Sequence, residues 1–125
     1  MVTFWYANDN QRFLERKLKN MKPIETNESF DQTIKSSEPV VVKFEADWCP
    51  DCKRLNMFID DIIKDYKFEW YEVNRDQLPE LADKYEVMGI PSLLVFQNGE
   101  KIAHLHSANA KTPESVREFL DSAEK

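Results

Sequence analysis

Cysteine and glycine are both scarce: the 125 residues hold two of each. No glycine-rich nucleotide fingerprint is present, so any flavin or nicotinamide chemistry belongs to a partner. No segment approaches the roughly 18 apolar residues of a membrane span, and "MVTFWYANDNQRFLERKLKNMK" has no basic leader followed by an apolar stretch of about 7 to 15. These absences lead us to expect a soluble, cytoplasmic protein with no membrane partner. Positive charge is not in excess either. Seventeen basic residues face twenty-three acidic ones for a net charge of -6, and the lysines are scattered, so a nucleic-acid partner is disfavoured.

Hydrophobic residues make up 42%, aromatics 12% and charged residues 32%, the profile of a folded chain and not a disordered one. A chain this long buries roughly two thirds of its unfolded surface in one core. Residues 9 to 21, "DNQRFLERKLKNM", put Phe13, Leu14, Leu18 and Met21 on one helical face, predicting an extra N-terminal helix within a 1–22 extension. The main domain is expected over 23–125. "KPIETN" reads as a short strand, "ESFDQTIKSS" as a helix and the β-branched "PVVVKFEA" as a buried strand. From Pro50 to Tyr66, Leu55, Phe58, Ile59, Ile62, Ile63 and Tyr66 recur at helical spacing. "FEWYEVNRD" is then a strand and "LPELADKYEV" a helix. "PSLLVFQNGEKIAHLH" gives two strands joined at Asn98-Gly99, and "TPESVREFLDSAEK" is a closing helix capped by Thr112. Alternation of this kind predicts an α/β protein: a central mixed β-sheet flanked by helices on both faces.

Both cysteines fall where the strand "VVVKFEA" ends and the long helix begins, two residues apart in "WCPDC". A sulfur at a helix N-terminus sits beside unpaired backbone N–H groups and the positive end of the dipole, which favour thiolate over thiol. Cys49 is therefore the expected nucleophile. Cys52, one turn on and more covered by the helix, is the expected resolver that releases a mixed disulfide from Cys49. Other uses of the pair are disfavoured. Structural zinc wants four ligands, and His104 and His106 are two apart on a predicted strand, not spaced as H-x3-5-H. These two are expected as exposed residues flanking a buried Leu105.

"VVVKFEADWCPDCKRL", "GIPSLLVFQNGEKI" and "SVREFLDSAEK" together resemble the thioredoxin family over roughly residues 23–125. The resemblance implies the thioredoxin fold, a redox-active Cys49–Cys52 disulfide with no further cofactor or metal, and reduction of protein disulfides in a monomer. The partners it implies are disulfide-containing proteins or small thiols, with an external reductase such as thioredoxin reductase. It also implies that Ile90–Pro91 is cis and faces the cysteine pair, Ile90 offering its backbone to an extended substrate. Trp48, Pro50, Asp51, Ile90 and Pro91 then flank a substrate groove.

The chain departs from that pattern at several points. Asp51 stands between the cysteines where glycine-proline is the commonest family pair, and its carboxylate opposes a thiolate at Cys49. At about 7 Å and an effective dielectric of about 20 to 80, the cost is roughly 0.6 to 2.4 kcal/mol, comparable to the roughly 0.3 to 2 kcal/mol a helix terminus supplies. Near-ordinary acidity favours reduction over oxidation. Lys43 occupies the position of a usual buried aspartate, and Glu72 that of a usual lysine. Either the two pair across neighbouring strands, with Glu72 taking a proton from Cys52, or both sit at a polar sheet edge. Glu45 replaces an aromatic, Met57 a proline, and Ser107 lies near a usual glycine in a lengthened "HLHSANAKT". Three further readings stay open: glutaredoxin-like reduction of low-molecular-weight thiol adducts, a non-enzymatic binding module, and a cluster-binding dimer.

Overall fold

Val40, Val41 and Val42 are apolar on both sides of the chain, as a strand covered on both faces requires. In the computed structural model, which describes residues 21–124, they open the central strand of a five-stranded sheet. In chain order the elements are β1 (Lys22–Ile24), α1 (Asn27–Ile34), β2 (Val40–Glu45), α2 (Pro50–Ile63), β3 (Glu69–Asn74) and α3 (Pro79–Lys84). Then follow β4 (Ser92–Gln97), β5 (Glu100–Leu105), a 3-10 turn (Ser107–Asn109) and α4 (Pro113–Glu124). The sheet runs β1-β3-β2-β4-β5, with β1, β3 and β2 parallel and β4 and β5 each antiparallel to its predecessor in that order. The element order and the mixed sheet agree with the sequence reading.

Strand alternation divides the core in two. Val41 faces α2 and α4, packing with Leu55, Ile59, Ile62, Val116 and Leu120. Val40, Val42 and Phe44 face α1 and α3, packing with Phe30, Ile34 and Leu81. The same alternation puts Lys43 and Glu45 on the α2 face of β2, at the end of the strand that leads into the cysteine turn.

Local chemistry fixes the element ends. Thr26 caps α1 by accepting the Ser29 N–H at 3.0 Å, and Thr112 caps α4 by accepting the Ser115 N–H at 3.2 Å. Asn98 and Gly99 turn β4 into β5 with φ of 55° and 85°, the left-handed pair of a tight hairpin. Their N–H groups donate to Ser36 and Ile34 at 2.8 and 2.7 Å, fastening the hairpin to the end of α1.

Two expectations change. α2 ends at Ile63, short of Tyr66, because the chain tightens: Asp65 N–H bonds Ile62 at 3.0 Å and Tyr66 N–H bonds Ile63 at 3.3 Å. The Tyr66 hydroxyl instead reaches α4, donating to Asp121 at 2.8 Å and to the Arg117 carbonyl at 3.2 Å. α3 stops at Lys84, and Glu86 two residues on adopts a φ of 61°. The helix expected over 9–21 lies outside the described residues except for Met21, which occupies a bend and is buried in the α2–α4 core. Met21 thus packs into the main fold.

Candidate active site

The cysteine turn is built by the end of β2 and the start of α2. Cys49 is the N-cap of α2 with extended backbone angles of -87° and 110°, and Pro50, whose missing N–H costs nothing there, opens the helix. The Cys49 sulfur accepts the Cys52 N–H at 3.1 Å. That contact and the helix terminus both favour negative charge on Cys49 once it is reduced. The two sulfurs are joined as a disulfide with Cα atoms 5.3 Å apart. Burial does not distinguish them as the sequence suggested, since Cys49 is 3% and Cys52 2% exposed. What distinguishes them is position: Cys49 caps α2, with its sulfur toward the Ile90 carbonyl in the loop before β4, and Cys52 lies in the first turn of the helix.

In that loop the Ile90–Pro91 bond is cis, and the Ile90 carbonyl lies 3.8 Å from the Cys49 sulfur. Ile90 packs on Ala46, Cys49 and Cys52. The Ser92 hydroxyl donates to Gly89 at 2.6 Å and fixes the loop from its far side. Gly89 lies so close to Ser107 that an added Cβ would collide with the Ser107 hydroxyl and come within 3.3 Å of its Cβ. The lengthened "HLHSANAKT" segment therefore reaches this loop.

Trp48 is 62% exposed, yet its indole N–H donates to Asp76 at 2.7 Å, and Asp76 N–H is in turn held by the Asn74 side chain at 2.8 Å. No spacing in the sequence links Trp48 to a residue so far along the chain. Asp51 also has partners that its sequence position did not reveal. Arg54 and Lys111 each stand 3.8 Å from its carboxylate, one from its own helix and one from the segment before α4. Being exposed, each pair is worth about 0 to 1 kcal/mol, but both cations draw on the charge that opposes a Cys49 thiolate.

Beneath the turn, Lys43 is 1% exposed on the central strand, so it is not a polar-edge residue. The parallel register does set it opposite Glu72, with an ammonium-to-carboxylate distance of 3.8 Å. Its nearer anion is Glu45 at 2.7 Å, and the Asn56 side chain from α2 accepts from it as well. A pocket of about 150 Å³ adjoins this cluster, walled by Glu45, Ala46, Asp47, Cys52, Lys53 and Asn56.

His104 and His106 stack with ring centroids 3.9 Å apart, and His104 is half-buried instead of exposed. Lys101 Nζ sits 3.1 Å from His104 Nδ1. Burial first, then the neighbouring His106 and Lys101, hold the His104 pKa down to about 4. Among the described residues no three of His, Cys, Asp and Glu are grouped as a metal site, and no helix is long and apolar enough to cross a membrane.

A mixed sheet with a paired CxxC on its strand-to-helix turn, set against a cis proline, defines the thioredoxin-fold class. Comparison with known proteins agrees: the thioredoxin family profile matches residues 21–122. The chain belongs to the thioredoxin family. A thioredoxin of Rickettsia bellii (strain RML369-C) is 39% identical over 79 residues, covering 61% of this chain and 75% of the relative. A chloroplastic M-type thioredoxin of Pisum sativum is 37% identical over 89 residues, covering 69% of this chain and 52% of the relative. The chain spans 37% to 52% of the length of the three chloroplastic relatives it matches. The oxidised thioredoxin of Plasmodium falciparum superposes with a TM-score of 0.72 at 27% identity, covering 84% of this chain and 99% of that one. The thioredoxin of Trypanosoma brucei brucei, with a TM-score of 0.75 at 21% identity over 83% of this chain and 90% of that one, speaks to the fold alone.

Proposed function

We propose that the protein is a thiol-disulfide oxidoreductase that reduces protein disulfides by dithiol exchange. The observation that carries this reading is the position of Cys49: at the N-cap of α2, its sulfur accepting the Cys52 N–H at 3.1 Å and lying 3.8 Å from the Ile90 carbonyl. In the reduced protein the Cys49 thiolate attacks one sulfur of a client disulfide, and the other client sulfur leaves with the electron pair. Cys52 then attacks Cys49, forming the intramolecular disulfide and releasing the second client thiol. Trp48, Pro50, Asp51, Ile90 and Pro91 flank the groove, in which the Ile90 backbone meets an extended client chain.

The reading includes an external reductase, such as thioredoxin reductase, or a low-molecular-weight thiol as electron source, a monomer, a cytoplasmic setting, and no cofactor beyond the disulfide itself. Reduction is the favoured direction because Asp51 offsets part of the thiolate stabilisation that a strong oxidant needs. The test compares insulin reduction driven by dithiothreitol with reduction of a glutathione mixed disulfide. Acceleration of insulin reduction that disappears in Cys49→Ser supports the proposal. Acceleration of the glutathione substrate alone favours the glutaredoxin-like reading, and no acceleration of either favours a binding module.

A further inference from the structure

We propose that Glu45, and not Glu72, takes the proton that Cys52 loses in the resolving step, with Lys43 as the positioning residue that holds Glu45 in place. The inference rests on the oxidoreductase reading above. Cys52 and Glu45 are both on the wall of the pocket beneath the cysteine turn, whereas Glu72 is not. At about 150 Å³ the pocket exceeds the roughly 10 to 15 Å³ a water requires, so a proton has a solvent route between the two side chains.

Glu45 shares its cation with a second carboxylate. Lys43 on β2 binds it at 2.7 Å, Glu72 on β3 stands 3.8 Å from the same ammonium, and Asp47 and Lys53 line the pocket from the connecting loop and from α2. A buried ammonium needs a counter-charge throughout. Two carboxylates on one ammonium provide it: while Glu45 carries the proton, Glu72 still faces Lys43. Asp47, the other carboxylate on the wall, is exposed, whereas Glu45 is tied to the buried cation.

The step balances as follows. The Cys52 S–H proton passes to the Glu45 carboxylate, and the Cys52 thiolate attacks Cys49 of the mixed disulfide. The Cys49–Cys52 bond forms as the bond from Cys49 to the client breaks. The client sulfur leaves with the electron pair and is protonated by Glu45 or by solvent. The two electrons of the dithiol end on the client, and an external thiol reductant restores them.

Single-turnover mixing of reduced protein with a disulfide-bonded client, acid-quenched over a range of pH, resolves mixed-disulfide formation from its decay. Glu45→Gln is expected to slow the decay by about tenfold or more at neutral pH and to flatten its pH profile, with the formation phase unchanged. Glu45→Asp restores much of the rate, Asp47→Asn decays within about twofold of wild type, and Glu72→Gln keeps the pH profile. Lys43→Met/Glu45→Gln removes the buried charge and its partner together, and its decay is slow in a folded protein. Decay of Glu45→Gln at the wild-type rate and pH profile, or loss of the profile in Glu72→Gln or Asp47→Asn, overturns the inference. Failure of Cys52→Ser to form any mixed disulfide overturns the oxidoreductase reading and this inference with it.

Discussion

Removing the anion beside the buried Lys43 and removing Lys43 itself have unequal consequences. The Lys43 side chain is 2% exposed, while Glu45 and Glu72 retain 21% and 24% exposure and with it access to water. Glu45→Ala strips the ammonium of its 2.7 Å partner and leaves it Glu72 at 3.8 Å and the Asn56 side chain. Breaking a buried pair this way costs roughly 3 to 5 kcal/mol, and the remaining partners place the expected loss near the lower figure, about 3 kcal/mol. Lys43→Met keeps a similar stem opposite Leu93 on β4 and deletes the charge, and the two carboxylates remain partly hydrated. Its cost is expected within about 1 kcal/mol of zero, a gain included. Urea unfolding measures both. With a slope of about 1 to 3 kcal/mol per molar, Glu45→Ala lowers the midpoint by about 1 M or more, and Lys43→Met moves it far less. Lys43→Met proving as damaging as Glu45→Ala would refute the assignment of Lys43 as a buried cation held mainly by Glu45.

Asp76→Ala frees the Trp48 indole and is expected to shift its fluorescence and to lower kcat/KM for a protein disulfide several-fold while sparing a small disulfide; equal loss on both substrates contradicts a positioning role. Gly89→Ala is expected to lower the melting temperature by several degrees through the Ser107 collision, with partial recovery in Gly89→Ala/Ser107→Gly, and no recovery removes Ser107 as the cause. The pKa of His104 falls from 6.5 to about 4 on folding, so below pH 6.5 the unfolded chain binds the extra proton. Stability from this group is complete above about pH 6.5 and declines toward pH 4, and His104→Gln is expected to flatten that part of the profile. An unaltered slope in the variant assigns the loss to other groups.

The cysteine turn was legible because two independent signals meet there: a β-branched run that must be buried, and a helical period that begins at Pro50. The hairpin was legible at Asn98-Gly99 for a similarly local reason, a left-handed pair that few other residues accept. The ends of α2 and α3 were not, since apolar periodicity continues through Tyr66 and Val87 after the backbone has already turned. Tyr66 keeps its apolar spacing because it packs against α4 from outside the helix. The partners of Trp48 and Asp51 are supplied by tertiary approach alone, Asp76 by β3 and its turn and Lys111 by the segment before α4, and no sequence period points to either. Glu45 is a different case. Two residues after Lys43 on one strand, it had to share a face with it, and strand alternation alone would have named it as a second anion within reach of the ammonium.

Trapping on Cys52→Ser tests the central claim most directly. Reduced Cys52→Ser mixed with a disulfide-bonded protein is expected to accumulate a covalent adduct on Cys49 that a thiol reductant releases, and Cys49→Ser is expected to form none. An adduct on Cys52 in Cys49→Ser with none on Cys49, or no adduct in either variant, would contradict it.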